Sequence, residues 1–202
     1  MKKTSYFKEV LIMVTFVTAV LLVTSSENNQ KAEDTKEVAE EQNDEKFDNN
    51  KQEKDAQFLV NAAEIDREEI QLGKLAQQKG VTTHVKELGK MMEEAHTKSL
   101  NDLTALANSK MITIPTSQTE DAQDAYKNLN EKSGNDFDKA YADMMVSEHK
   151  DAIAAFEKLS TDGNDTDIKN WATVSLPELR KHLDHSIECQ KKCDENNSSK
   201  QN

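Results

Sequence analysis

The stretch FLVNAAEIDREEIQLGKLA, residues 58–76, sets Phe58, Ala62, Ile65, Glu69, Leu72 and Ala76 at alternating steps of four and three. That spacing keeps to one face of a helix and fits no strand, whose faces alternate every second residue. It predicts a helix over residues 55–79, with Gly80 as its stop. A second helix, 82–108, carries Val85, Leu88, Met92, His96, Leu100, Leu103 and Leu106 in the same way. Met111-Ile-Thr-Ile-Pro115 and the Thr-Ser-Gln-Thr after it break the period, so they read as a connection, with a short helix at 121–130. Beyond Ser133-Gly134-Asn135 a third long helix, 136–160, carries Phe137, Tyr141, Met145, His149, Ala152 and Phe156. A tight turn at 161–165 leads to a fourth, 167–193, which Pro177 is expected to kink or divide. Four long amphipathic helices and no strand candidate predict an all-α four-helix bundle, with a short extra helix between the second and third long ones.

Composition agrees and narrows the function. The chain has 202 residues with 38 acidic against 26 basic side chains, a net charge of −12, the opposite of a nucleic-acid footprint. Five Gly and two Pro are too few for the turns of a β-sandwich, and two Cys cannot staple a disulfide scaffold. The only basic bias lies in residues 1–26, where Lys2, Lys3 and Lys8 precede an uncharged run from Val10 to Ser26. Its apolar centre, Val10 to Val23, reaches about 21 Å as a helix, short of a hydrocarbon core of about 30 Å. This reads as a secretory signal peptide or, without a clean small-residue cleavage site, an N-terminal membrane anchor. Residues 27–54 follow with ten acids and five Lys, and with Val38, Phe47 and two Ala as their apolar residues. They read as a disordered acidic linker, at most a frayed helix, that holds the bundle (55–193) away from an envelope surface. Residues 194–202 read as a disordered tail.

Polar residues on the inward stripes carry the functional information, because burying them is costly unless they are partnered. Glu69, His96, His149 and His182 stand near the middle of the four long helices, one on each, on the side facing the others. Glu93 is spaced three before His96, the Glu-x-x-His step of metal sites in bundles. Imidazole and carboxylate suit iron, zinc or copper, and spacing does not choose among them. The alternative is a buried hydrogen-bond network of neutral histidines. A full dinuclear set is missing, since Val146 stands where a second Glu-x-x-His would need Glu. His182, His185, Cys189 and Cys193 form a further stripe, open to three readings: a soft-metal set, a strained disulfide or free thiols at a helix end. The Asp162 loop lacks the Gly and Glu of an EF-hand. No nucleophile elbow, phosphate loop or dinucleotide fingerprint is present.

Several of these pieces occur in a known order. Phe58-Leu-Val-Asn-Ala-Ala63, Glu69-Ile-Gln-Leu-Gly-Lys-Leu-Ala76, Val85-Lys-Glu-Leu-Gly, Met91-Met92 with His96, and Ile114-Pro115 come first. Phe137-Asp138 with Tyr141, Met145-Val146 with His149, and Leu176-Pro177 with His182-Leu183 complete the series. Over about residues 55–190 the chain resembles an exported bacterial family, domain of unknown function 4142, described as predicted outer membrane proteins. The resemblance implies a ferritin-like fold and an export route to the periplasm or outer membrane, and supplies no reaction. Where that family has Asp-His pairs, this chain has Ala95-His96 and Glu148-His149. Two functional expectations stand: a non-enzymatic module of the cell envelope with an unknown partner, or a metal-binding or redox bundle.

Overall fold

Most of the helices begin where a short polar side chain takes up the first free backbone N–H groups. In the computed structural model, which describes residues 34–198, Asn49 accepts from Lys51 and Gln52 and so starts the long α2 (Asn50–Lys79) earlier than periodicity predicts. Thr82 opens α3 (Thr83–Ser109), and Thr119 opens α4 (Glu120–Asn130). Ser133 precedes α5 (Gly134–Asp162), whose first residue takes a left-handed φ of 62° that glycine tolerates. Asp165 accepts from Asp167 and Ile168 at the head of α6 (Thr166–Ser198). α6 runs through Pro177 without a break, and it extends into the region predicted as a tail. No strand occurs among the described residues, and no helix among them is long and apolar enough to cross a membrane. The expected signal or anchor, 1–26, lies outside the described residues.

α2 pairs chiefly with α3, and α5 with α6, so the bundle is two helical hairpins joined by a crossover containing α4. The first hairpin closes by backbone contact. A Cβ on Gly89 would stand 2.6 Å from the Gly73 carbonyl oxygen and 2.7 Å from Ala76 Cβ, and one on Gly73 would be 2.5 Å from the Gly89 oxygen. Gly89→Ala is therefore expected to cost at least about 2 kcal/mol, since rigid backbone must move to admit the methyl. A urea midpoint unchanged by this substitution would contradict the close crossing.

The two hairpins also hold each other's turns. Asp138, on α5 and 2% exposed, accepts from Val81 N, Thr82 N and Thr82 Oγ1, all at 2.8 Å, in the α2–α3 turn. Asp55, on α2, accepts from Asn164 N at 3.0 Å and Asp165 N at 2.6 Å in the α5–α6 turn.

The stretch read as an acidic spacer departs from expectation, because residues 35–46 form α1 (Thr35–Lys46) against α2. Composition misses it because its anchors are few and act over long sequence separations. The Asn43 amide exchanges two 2.8 Å hydrogen bonds with the backbone of Thr113. Ala39 and Phe47 are buried, and Lys36 pairs with Glu64 at 2.5 Å. Asp34 caps α1 with one oxygen and accepts from the first N–H of α4 with the other.

The apolar core is in two parts. One gathers Leu59, Ala63, Leu103, Phe156, Ile168 and Leu176. The other gathers Leu72, Leu88, Met92, Phe137, Tyr141 and Met145. Between the two sequence stretches that each helix contributes lie Asp66 and Glu69 on α2, His96 on α3, His149 on α5, and His182 with Ser186 on α6, all buried. A polar layer thus divides the core across its middle.

Candidate metal centre

His96, His149 and His182 each offer one ring nitrogen to a set in which all three atoms lie within 4.8 Å of one another. His149 Nε2 is 3.3 Å from His182 Nδ1. Nitrogens bound tetrahedrally to one ion at about 2.0–2.1 Å would stand about 3.3 Å apart, so this pair already has the required spacing. The widest pair would have to close by roughly 1.5 Å, within reach of small ring rotations.

Two of the rings are oriented from behind. Asp66 Oδ1 lies 2.8 Å from His96 Nδ1, which fixes the proton there and leaves the Nε2 lone pair free. His149 Nδ1 donates to the Met145 carbonyl at 2.9 Å, so its Nε2 lone pair points at the cluster. In the metal-free form His182 Nδ1 can donate to that lone pair, with Glu178 Oε1 standing 3.4 Å from His182 Nε2 on the other side. Buried polar atoms that make no hydrogen bond include His96 Nε2, His182 Nε2 and Asp66 Oδ2. Such orphans are costly, and a cation in the cluster would satisfy the lone pair of His96 Nε2.

Burial keeps the His149 and His182 rings neutral. Burial first, and then the His96 and His182 rings, push His149 down to about 3. Burial and His96 push His182 down to about 4. At neutral pH no added proton competes for a metal at His149 or His182.

Behind His149 lies a carboxyl cluster. Glu69 Oε1 is 3.5 Å from His149 Nδ1, the nitrogen turned away from the other rings. Burial, with the facing Glu148 carboxyl, holds Glu69 well above the carboxylate range. Burial and Glu68 push Glu148 up to about 8, while burial and Glu64 push Glu68 up to about 7. These groups keep protons that the unfolded chain releases above its ordinary 4.5, so their contribution to stability is lost as pH rises through 7 and 8. The depressed histidines act oppositely: their contribution is complete above 6.5 and lost as pH falls toward 4 and 3. Between pH 6.5 and 8 only the carboxyls act. The protein should therefore lose about 2–3 kcal/mol of stability per pH unit over that interval, since the folded state holds about two more protons than the unfolded chain. A thermal midpoint that is level or rising from pH 6.5 to 8 would show that the cluster is ionised.

Against this geometry the sequence can be compared with known proteins. The model of one family, Domain of unknown function (DUF4142), matches residues 27–188. The chain belongs to the DUF4142 family. No curated protein and no solved structure matches it. The DUF4142 match takes in α1, all three histidines and the carboxyl cluster, so every part of the centre lies inside the family's domain.

Of the residues singled out by sequence in this DUF4142 chain, the fold brings His96, His149 and His182 together. It sets Glu69 behind His149 and turns Glu93 away, toward Gln77 at 2.6 Å and Lys74 at 3.9 Å. Asp66 is the acid at the cluster that the stripe does not include: the stripe runs through Ile65, yet Asp66 is 4% exposed and Ile65 only half-buried. Its signal is its step of four from Ala62 and three to Glu69. Asp66 also supplies the carboxylate that Ala95 cannot give His96. Cys189 and Cys193 are free thiols, and both are buried in the core beside Phe137 and Tyr141. The Cys193 contact and burial push the Cys189 thiol far up, so it stays protonated. His185 is exposed on the neighbouring face.

Proposed function

We propose that this protein is an exported helical bundle that binds one transition-metal ion through His96, His149 and His182. The observation that supports this most directly is the convergence of three buried imidazoles from three helices, two of them oriented by Asp66 and the Met145 carbonyl. Three imidazoles with no thiolate suit iron, zinc or copper, and leave a coordination position free, as in catalytic rather than structural sites. A purely structural network is less well supported, because such a network would pair His96 Nε2. Export rests on the basic start and short apolar run of residues 1–26, which fit delivery to the cell envelope.

The test is metal analysis of untagged protein, together with titration of the stripped protein with cobalt(II). One ion per chain, with the intense visible absorption of low-coordinate cobalt, is the expected result. Protein that carries no metal and takes up no cobalt, zinc or copper would end this reading. Asp66→Asn, which removes the charge behind His96, should weaken uptake about 10–100-fold.

A further inference from the structure

The cluster has an entrance. A cavity of about 410 Å³ opens between α2, α3, α5 and α6, a volume suited to a small organic ligand. His96, His182 and Asp66 form its inner end, while His149 is absent from its lining. All three residues are less than 5% exposed, and each presents an atom with no hydrogen-bond partner. The walls are apolar and aromatic. Phe156 and Trp171 pack with ring centroids 5.3 Å apart, and Ile65 and Leu179 complete the sides. Three carboxylates, Asp66, Asp102 and Glu178, line the cavity against the single cation Lys98, a balance that disfavours anions.

We propose that this cavity admits a neutral aromatic ligand with a nitrogen donor at its inner end, which takes the free position on a metal held by the three histidines. The proposal rests on the metal reading above. The ligand's flat body lies along Phe156 and Trp171, where aromatic surface leaves water. Its donor approaches the ion from the cavity side, where His96 and His182 are exposed to the ligand and His149 is not.

The experiment uses full-length protein loaded with cobalt(II), titrated at pH 8 with imidazole and with 4-phenylimidazole while the cobalt absorption is followed. The expected result is a spectral change with both, and binding of 4-phenylimidazole about ten- to a hundredfold tighter, from burial of the phenyl ring. Trp171→Ala, at a half-buried position, should leave the cobalt spectrum intact and cut that preference to about threefold or less. Failure to take up cobalt overturns the metal reading and this proposal together. Cobalt uptake with no response to either probe, with equal affinity for both, or with a preference untouched by Trp171→Ala, overturns the cavity proposal alone.

Discussion

His149→Ala will bind cobalt or zinc at least about a hundredfold more weakly than the parent chain, because it removes a ligand and not merely a group that orients one. His149 is the ring whose removal separates metal binding from access most cleanly, since the cavity is lined by the other two histidines. Stability should also fall, by about 2–4 kcal/mol, as a buried ring leaves a void and His182 Nδ1 loses its neighbour. His149→Phe keeps the ring volume without the ligand nitrogens, so it should restore part of that stability and none of the uptake. Metal affinity retained in both variants, measured by competition with a chelator, would place the ion elsewhere.

Asp138→Ala is expected to be the most damaging single change outside the polar layer, at about 3–5 kcal/mol. The side chain is buried, and its two oxygens accept from two backbone N–H groups and one hydroxyl. Removing it strands those donors between packed helices, where each unmade bond costs about 1–3 kcal/mol. Asp138→Asn keeps one acceptor but turns an N–H toward the donors, so it should recover only part of the loss. Asp55→Ala should behave in the same way at the opposite turn, and the double variant should lose the sum of the two, since the sites share no partner. Urea unfolding gives these differences directly; a loss below about 1 kcal/mol for Asp138→Ala would mean that water replaces the carboxylate at little cost.

The helices were legible because each long one repeats its apolar step over many turns, enough to fix type and facing from spacing alone. The three histidines were legible for a related reason: on a stripe of Met, Leu and Ala, an imidazole is out of place unless something meets it. What spacing resolves poorly is the choice between adjacent positions on a broad face. Ile65 and Asp66 both fall near the inward side of α2, and only His96, thirty residues away, decides that the acid turns in. Glu93 shows the converse. Its Glu-x-x-His step is right, but at the α2–α3 crossing its carboxylate finds Gln77 instead. α1 was hidden because its hold is a pair of hydrogen bonds between Asn43 and a loop seventy residues on. No local pattern encodes such a contact.

The reciprocal grip of Asp55 and Asp138 has a bearing on how the chain reaches its fold. Neither hairpin completes its own turn; each receives the acceptor that settles its loop from the first helix of the other. An early hairpin would therefore stay loose at its tip until its counterpart arrived, and docking would tighten both tips in one event. Such mutual templating discourages half-folded species with exposed apolar faces. It also ensures that imidazoles from both hairpins are brought face to face only in chains that have finished folding.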